Sequence, residues 1–138
     1  MHITVYDIVR VLEQIAPFHL AESWDNSGLQ IGRLDRIVKT IWIALDPLPE
    51  VIEAACEANA DLLITHHPLI FQPLKNIRFD TPMGRSIIKS ANHDLTIFSM
   101  HTNYDSANGG MNDILAEKLG LTHVRVLNKT LNIAISVD

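Results

Sequence analysis

DLLITHHPLIF, residues 61–71, opens on an acid, runs through apolar residues and a threonine, and stops at two adjacent histidines and a proline. A short apolar run bounded by polar and turn-prone residues reads as a buried strand. The stretch therefore marks where a core strand ends. One histidine at such an end is ordinarily solvated or hydrogen-bonded. Two in succession point to a demand for imidazole nitrogen.

The flanking sequence sets this strand in a repeating pattern. Upstream, IVKTIWIAL (37–45) is rich in branched and apolar residues, and PEVIEAACEANA (49–60) has helical period, so residues 37–65 form a βαβ unit. Downstream the cycle repeats. Thr81 and Pro82 are the N-cap and first helical residue of TPMGRSIIKSANH (81–93), and LTIFSMH (95–101) is the next strand. The fold class is α/β, with βαβ units forming a mainly parallel or mixed sheet flanked by helices; a parallel sheet is the economical topology.

Outside this core, HITVYDIVRVLEQIAP (2–17) places Val5, Ile8, Val9, Leu12, Ile15 and Ala16 on a 3.6-residue period, with Thr4 and Asp7 as a capping box. FHLAESWDNSGLQIG (18–32) is turn chemistry rather than helix or strand and is expected to be a loop. MNDILAEKLG (111–120) reads as a helix with Met111, Ile114, Leu115 and Leu119 on one face and Gly120 at its C-terminal stop. LNIAISVD (131–138) reads as one more strand.

The chain's 138 residues suit one domain, and residues 1–138 are expected to form a single α/β metal-binding domain. Sixteen acids against eleven Lys and Arg leave a formal charge of −5, which offers no global attraction for nucleic acid or an anionic membrane. No apolar run approaches the ~20 residues that span a bilayer, and the N-terminus lacks the pattern of a secretory signal. A soluble cytoplasmic protein with no membrane partner is expected. The single Cys56 lies in an apolar helical run and reads as a small buried hydrophobe, not a nucleophile.

Both core strands end at histidine: DLLIT gives way to His66 and His67, and LTIFSM to His101, with Asp105 four residues on. Ligand sites in open parallel sheets lie beyond the carboxyl ends of the strands. Neighbouring strands are ~4.8 Å apart, so three imidazoles and a carboxylate converge if these two are adjacent. Adjacent side chains of an extended strand point to opposite faces. His66 and His67 therefore share one ion only if the chain bends, or else serve two ions. A pair of ions ~3.5 to 4 Å apart would use both rings, with Asp105 as a bridge. His2, His19, His93 and His123 do not occupy such positions and are assigned to surface or core roles.

Two other features carry less chemistry. SANGG (106–110) lacks a Walker lysine and reads as a helix-entry turn. In SWDNSGLQIG, Trp24 is expected to be a packing anchor and Asp25 a turn or cap residue, in preference to substrate contact.

SWDNSGLQIG (23–32), ALDPLPEVIEAA (44–55), DLLITHHPLIF (61–71) and HTNYDSANGGMNDILAEKLGL (101–121), in this order, resemble the GTP cyclohydrolase I type 2 homologue family, also called the Nif-three-like proteins. The resemblance covers nearly the whole chain. It implies that His66, His67, His101 and Asp105 are four metal ligands of a dinuclear centre, with two divalent ions per subunit in the complete protein. Imidazole with carboxylate accommodates zinc, iron, manganese, nickel or cobalt. It also implies a two-lobed α/β fold assembled as a homo-oligomer, a toroidal homohexamer whose centres face an internal cavity. Members of the family carry a further His and Glu on a C-terminal helix. No such pair follows Asp105, so this chain is expected to be the N-terminal part of a longer protein.

Two functions follow from that resemblance. One is a metal-dependent hydrolase that opens or cleaves a small-molecule substrate, a nucleotide such as GTP by the family's name, with water from the dinuclear centre. The alternative is a metal-stabilised assembly or regulatory interaction module without catalysis.

Overall fold

The computed structural model describes residues 2–126 and 135–136. In chain order the elements are α1 (Val5–Ile15), a 3-10 turn (Phe18–Leu20), β1 (Gly28–Ile31), β2 (Ile41–Ala44), α2 (Pro49–Glu57), β3 (Leu62–Thr65), α3 (Pro82–Asn92), β4 (Thr96–Ser99), α4 (Thr102–Ser106), α5 (Met111–Lys118), β5 (Arg125–Val126) and β6 (Ile135–Ser136).

Both βαβ units form as the sequence pattern requires. β2 pairs parallel with β3, and β3 parallel with β4, in the sheet order β1-β4-β3-β2. Every residue of β3 and β4 is buried, because helices cover both faces of the central strands; this is why DLLIT is an unbroken apolar run rather than an alternating one. Leu63 and Ile97 pack with Ile52, Ala55 and Cys56 of α2 and with Leu95. Leu62, Ile64 and Phe98 face the other way, onto Val5 and the inner face of α1. Full burial of the large side chains Ile52, Leu62, Leu63, Ile97 and Phe98 contributes roughly 1.5–3 kcal/mol each relative to exposure.

The helix starts follow the sequence closely. Thr4 caps α1 through the Asp7 amide, while the Asp7 carboxylate accepts from the Thr4 amide at 2.9 Å, closing the capping box. Thr81 caps α3 by accepting from the Gly84 amide at 3.1 Å.

Two expectations are corrected. Part of the presumed loop 18–32 is β1, which pairs antiparallel with β4 through Gly28↔Ser99 and Leu29↔Phe98, so the sheet takes the mixed form of the expected mainly parallel or mixed class. Gly28 and Gly32 sit at φ of 109° and 104°, so the turn-forming glycines bracket a strand of only four residues. Thr102–Ser106 forms α4 directly after His101, a short helix that the sequence pattern did not announce. In α5 the expected inner face is exposed at Ile114, Leu115 and Leu119, and the buried residue is Ala116. The α5 stop is as expected: Gly120 adopts φ of 70° and its amide donates to the Glu117 carbonyl. Within the expected strand 131–138, Ile135–Ser136 pairs antiparallel with β5, and the remaining residues lie outside the described ones.

Candidate metal centre

The register Thr65↔Ser99 ends β3 and β4 at the same level of the sheet, which brings His66, His67 and His101 to one edge. The chain bends after Thr65. The Thr65 hydroxyl donates to the His67 carbonyl at 2.8 Å, and the His66 and His67 amides donate to the Ala44 and Leu45 carbonyls. That bend brings both neighbouring rings to one side. The His66 and His67 ring centroids lie 4.9 Å apart, His66 and His101 5.3 Å, and His67 and His101 5.6 Å. One nitrogen from each ring falls within 4.8 Å of the other two.

Which nitrogen faces inward follows from the hydrogen bonds. His66 Nδ1 lies 2.9 Å from the Met100 carbonyl, which only accepts, so that nitrogen carries the proton. His67 Nδ1 meets the Asp46 carboxylate at 2.6 Å and His101 Nδ1 meets that of Asp25 at 2.8 Å. All three rings are thereby held as Nδ1–H tautomers with the Nε2 lone pair available, as in metal-ligating histidines whose outer nitrogen is tied to a carbonyl or carboxylate.

The two carboxylates are not equivalent. The Asp25 side chain is fully buried and also accepts from the Ser27 hydroxyl (2.7 Å) and the Thr102 amide and hydroxyl (3.1 and 2.5 Å). Burial pushes the Asp25 carboxyl up, but the hydrogen bonds from His101, Ser27, Thr102 and the Asn26 amide together outweigh it and hold the group at about 2. Asp25 is thus a permanent anion locked beside His101. Asp46 is 42% exposed and grips a half-exposed ring.

Asp105 projects from α4, the short helix that His101 caps, and its Oδ1 lies 3.7 Å from His66 Nε2. It meets the cluster at His66. His2, His19, His93 and His123 are all exposed. Sequence reasoning missed the roles of Asp25 and Asp46. For Asp46 a signal existed: it follows β2 as the histidines follow β3 and β4, and parallel strands deliver their carboxyl ends to one edge. Trp24 is not a packing anchor, since it is 58% exposed, standing with Phe71 beside His101.

Among the described residues, two cavities reach the cluster. One of about 420 Å³ is apolar and runs past Leu12, Ile43, Ile64 and Met100 to His66. The other, about 250 Å³, lies at His67 between the starts of α2 and α3.

A family model, Duf34/NIF3 (NGG1p interacting factor 3), matches residues 3–137. The chain belongs to the Duf34/NIF3 family. A Bacillus subtilis relative named GTP cyclohydrolase 1 type 2 homolog is 46% identical over 123 residues, which are 89% of this chain and 33% of that protein. A Clostridium perfringens relative of the same name is 43% identical over 90% of this chain and 47% of its own length. Among solved structures, a Bacillus cereus protein related to NIF3 superposes with a TM-score of 0.88 at 44% identity, covering 93% of this chain and 35% of that one. Reduced HcgD from Methanocaldococcus jannaschii superposes with a TM-score of 0.86 at 35% identity, covering 94% and 52%. The chain therefore spans about a third to a half of the length of these relatives.

Proposed function

We propose that this Duf34/NIF3 chain carries the histidine-bearing part of a metal centre in a metal-dependent hydrolase, with His66, His67, His101 and Asp105 as its ligands. The observation that supports this reading is the convergence of three imidazoles whose Nδ1 atoms are all tied, which leaves three Nε2 lone pairs toward one point. The donor set of imidazole with one nearby carboxylate fits zinc, iron, manganese, nickel or cobalt. A bound divalent ion supplies Lewis acidity and lowers the pKa of the water it holds toward neutrality. The chain's own residues do the positioning: Asp25 fixes the His101 ring, Asp46 the His67 ring, and the Met100 carbonyl the His66 ring.

A nucleotide substrate opened by water is suggested by the relatives' printed name, GTP cyclohydrolase 1 type 2 homolog. The second ion of a dinuclear centre and a homohexameric ring belong to the same proposal, for a protein of the relatives' full length. One observation favours the alternative, an assembly module held by metal. Asp25 and Asp46 are both engaged by histidine, so neither of these carboxylates is free to act as a general base at the cluster.

Calorimetric titration with zinc and cobalt tests the ligand assignment. Wild type binds, and a His66→Ala, His101→Ala double variant that keeps its circular dichroism does not. Equal binding by both sinks the metal reading. Turnover of a nucleotide panel by a relative-length protein, with none by its own double variant, separates the hydrolase from the assembly module.

A further inference from the structure

Trp24 and Phe71 come from loops far apart in sequence, yet their rings meet edge to face at 5.9 Å and 63°, and each lies 6.3 Å from the His101 ring. Both remain about half exposed, Trp24 at 58% and Phe71 at 49%. Scattered exposed hydrophobes are ordinary, whereas adjoining exposed aromatics beside a polar cluster mark a binding surface.

Hydrogen bonds stitch the two loops together. The Asn26 side-chain amide donates to the Ile70 carbonyl at 2.5 Å, and the Ile70 amide donates to Gln30 Oε1 at 3.1 Å. Gln30 Nε2 returns to the Asn26 carbonyl at 2.7 Å. On the other side of Trp24, buried Asp25 is tied to Ser27, His101 and Thr102. The neighbours in sequence of both aromatic residues are thus anchored while the rings face solvent. Pre-positioned rings lose little entropy when a ligand arrives.

We propose that Trp24 and Phe71 form a binding wall for a planar, π-bearing group of the substrate, a heteroaromatic ring or conjugated amide, seated beside His101. The inference rests on the reading of the histidines as a metal centre, and that reading also selects the ligand chemistry. Aromatic faces attract cations as well as planar rings, but a cationic group here would sit next to the metal's own positive charge. A flat neutral or anionic ring suits both neighbours, stacking on one aromatic ring and meeting the edge of the other.

Trp24 and Trp42 are the two tryptophans, so in a Trp42→Phe background the emission reports on the wall. Adenosine, nicotinamide and quinoline serve as planar probes, and ribose and cyclohexanol as non-planar controls, with metal-free and cobalt-loaded protein. At least one planar probe quenches saturably while the controls do nothing. Phe71→Leu weakens that binding about tenfold or more, and Trp24→Leu does the same by calorimetry. The cobalt absorption spectrum stays unchanged in both variants. Absence of saturable quenching by every planar probe, equal affinity in the variants, or loss of cobalt from a variant that keeps its circular dichroism overturns the wall. So does light scattering in which wild type self-associates and Trp24→Leu does not, because the patch is then a protein contact. Failure of the metal reading is separately visible: a planar probe that binds in the absence of any cobalt uptake upholds the wall and overturns the metal centre.

Discussion

Asp61, the acid that opens the decisive stretch, ties the far end of the sheet. Its carboxylate accepts from the Lys39 amide at 2.8 Å, the Thr40 amide at 2.9 Å and Arg36 Nη2 at 2.7 Å, and Arg36 also pairs with Asp94. Burial pushes the Asp61 carboxyl up, yet the Lys39 and Thr40 amides and the Arg36 guanidinium outweigh it and leave the group below its ordinary value. A carboxyl lower in the folded than in the unfolded state adds stability that is complete above about pH 4 and is lost as pH falls through the folded value. Asp61→Asn is expected to cost about 1–3 kcal/mol near neutral pH and to flatten the acid limb of stability, as measured by urea unfolding from pH 3 to 7. An unchanged limb would show that the carboxylate is only a spectator. At the opposite end of the sheet, Asp25→Asn removes the anion that fixes the His101 tautomer. Cobalt affinity should drop about 10- to 100-fold, and further than in Asp46→Asn, because Asp46 is partly open to water that can replace it. The reverse ranking would contradict the roles given to burial. Asp46 could have been read as a histidine partner from its place after β2, whereas Asp25 could not: it sits among turn-forming residues and meets a ring 76 positions away, which local pattern cannot register.

The elements that were legible are those whose physics is local. α1 announces itself through a capping box and an apolar stripe, α3 through Thr81–Pro82, and β2, β3 and β4 through branched apolar runs between helices. Short elements escaped. β1 has four residues and α4 has five, too few for a period to emerge, and both hold their shape through neighbours rather than propensity. α5 carries the reverse lesson. Its apolar period is real, but Leu115 and Leu119 face outward, so the stripe marks a surface without a cover among the described residues. The link between α4 and α5 is tight. Gly110 packs against the Tyr104 carbonyl so closely that a methyl group would overlap it, and Asn112 donates to the Asp105 carbonyl at 2.9 Å. Gly110→Ala is expected to force the two helices apart at a cost of about 1–3 kcal/mol and to draw Asp105 away from His66. Thermal unfolding reads the first effect, and weaker cobalt binding at a temperature where the variant is folded reads the second. Full retention of both would mean that α4 is free to adjust.

At the scale of the whole molecule, the α/β class and the edge that gathers the histidines were legible because both follow from the order of strands and helices. What covers the outer faces was not, because those partners are not encoded in local period. Among the described residues β2 is hydrogen-bonded on one side only, and Ile43 on that strand is 81% exposed. The cavity of about 420 Å³ opens beside it, walled by Leu12, Ile15, Leu45 and Met111. An apolar edge strand with unpaired backbone groups is a template for pairing with another chain, and charged residues on the edge suppress that pairing. The 138-residue chain is therefore expected to self-associate as its concentration rises, with β2 as the seam. Ile43→Lys tests the seam without touching the fold, because the side chain already faces solvent and a lysine there keeps the strand while repelling a second copy. Light scattering should show wild type growing in mass and Ile43→Lys remaining monomeric, with identical circular dichroism. Growth of both to the same extent would move the contact away from β2, to the exposed stripe of α5, where Leu119→Lys would then be the variant that dissolves it.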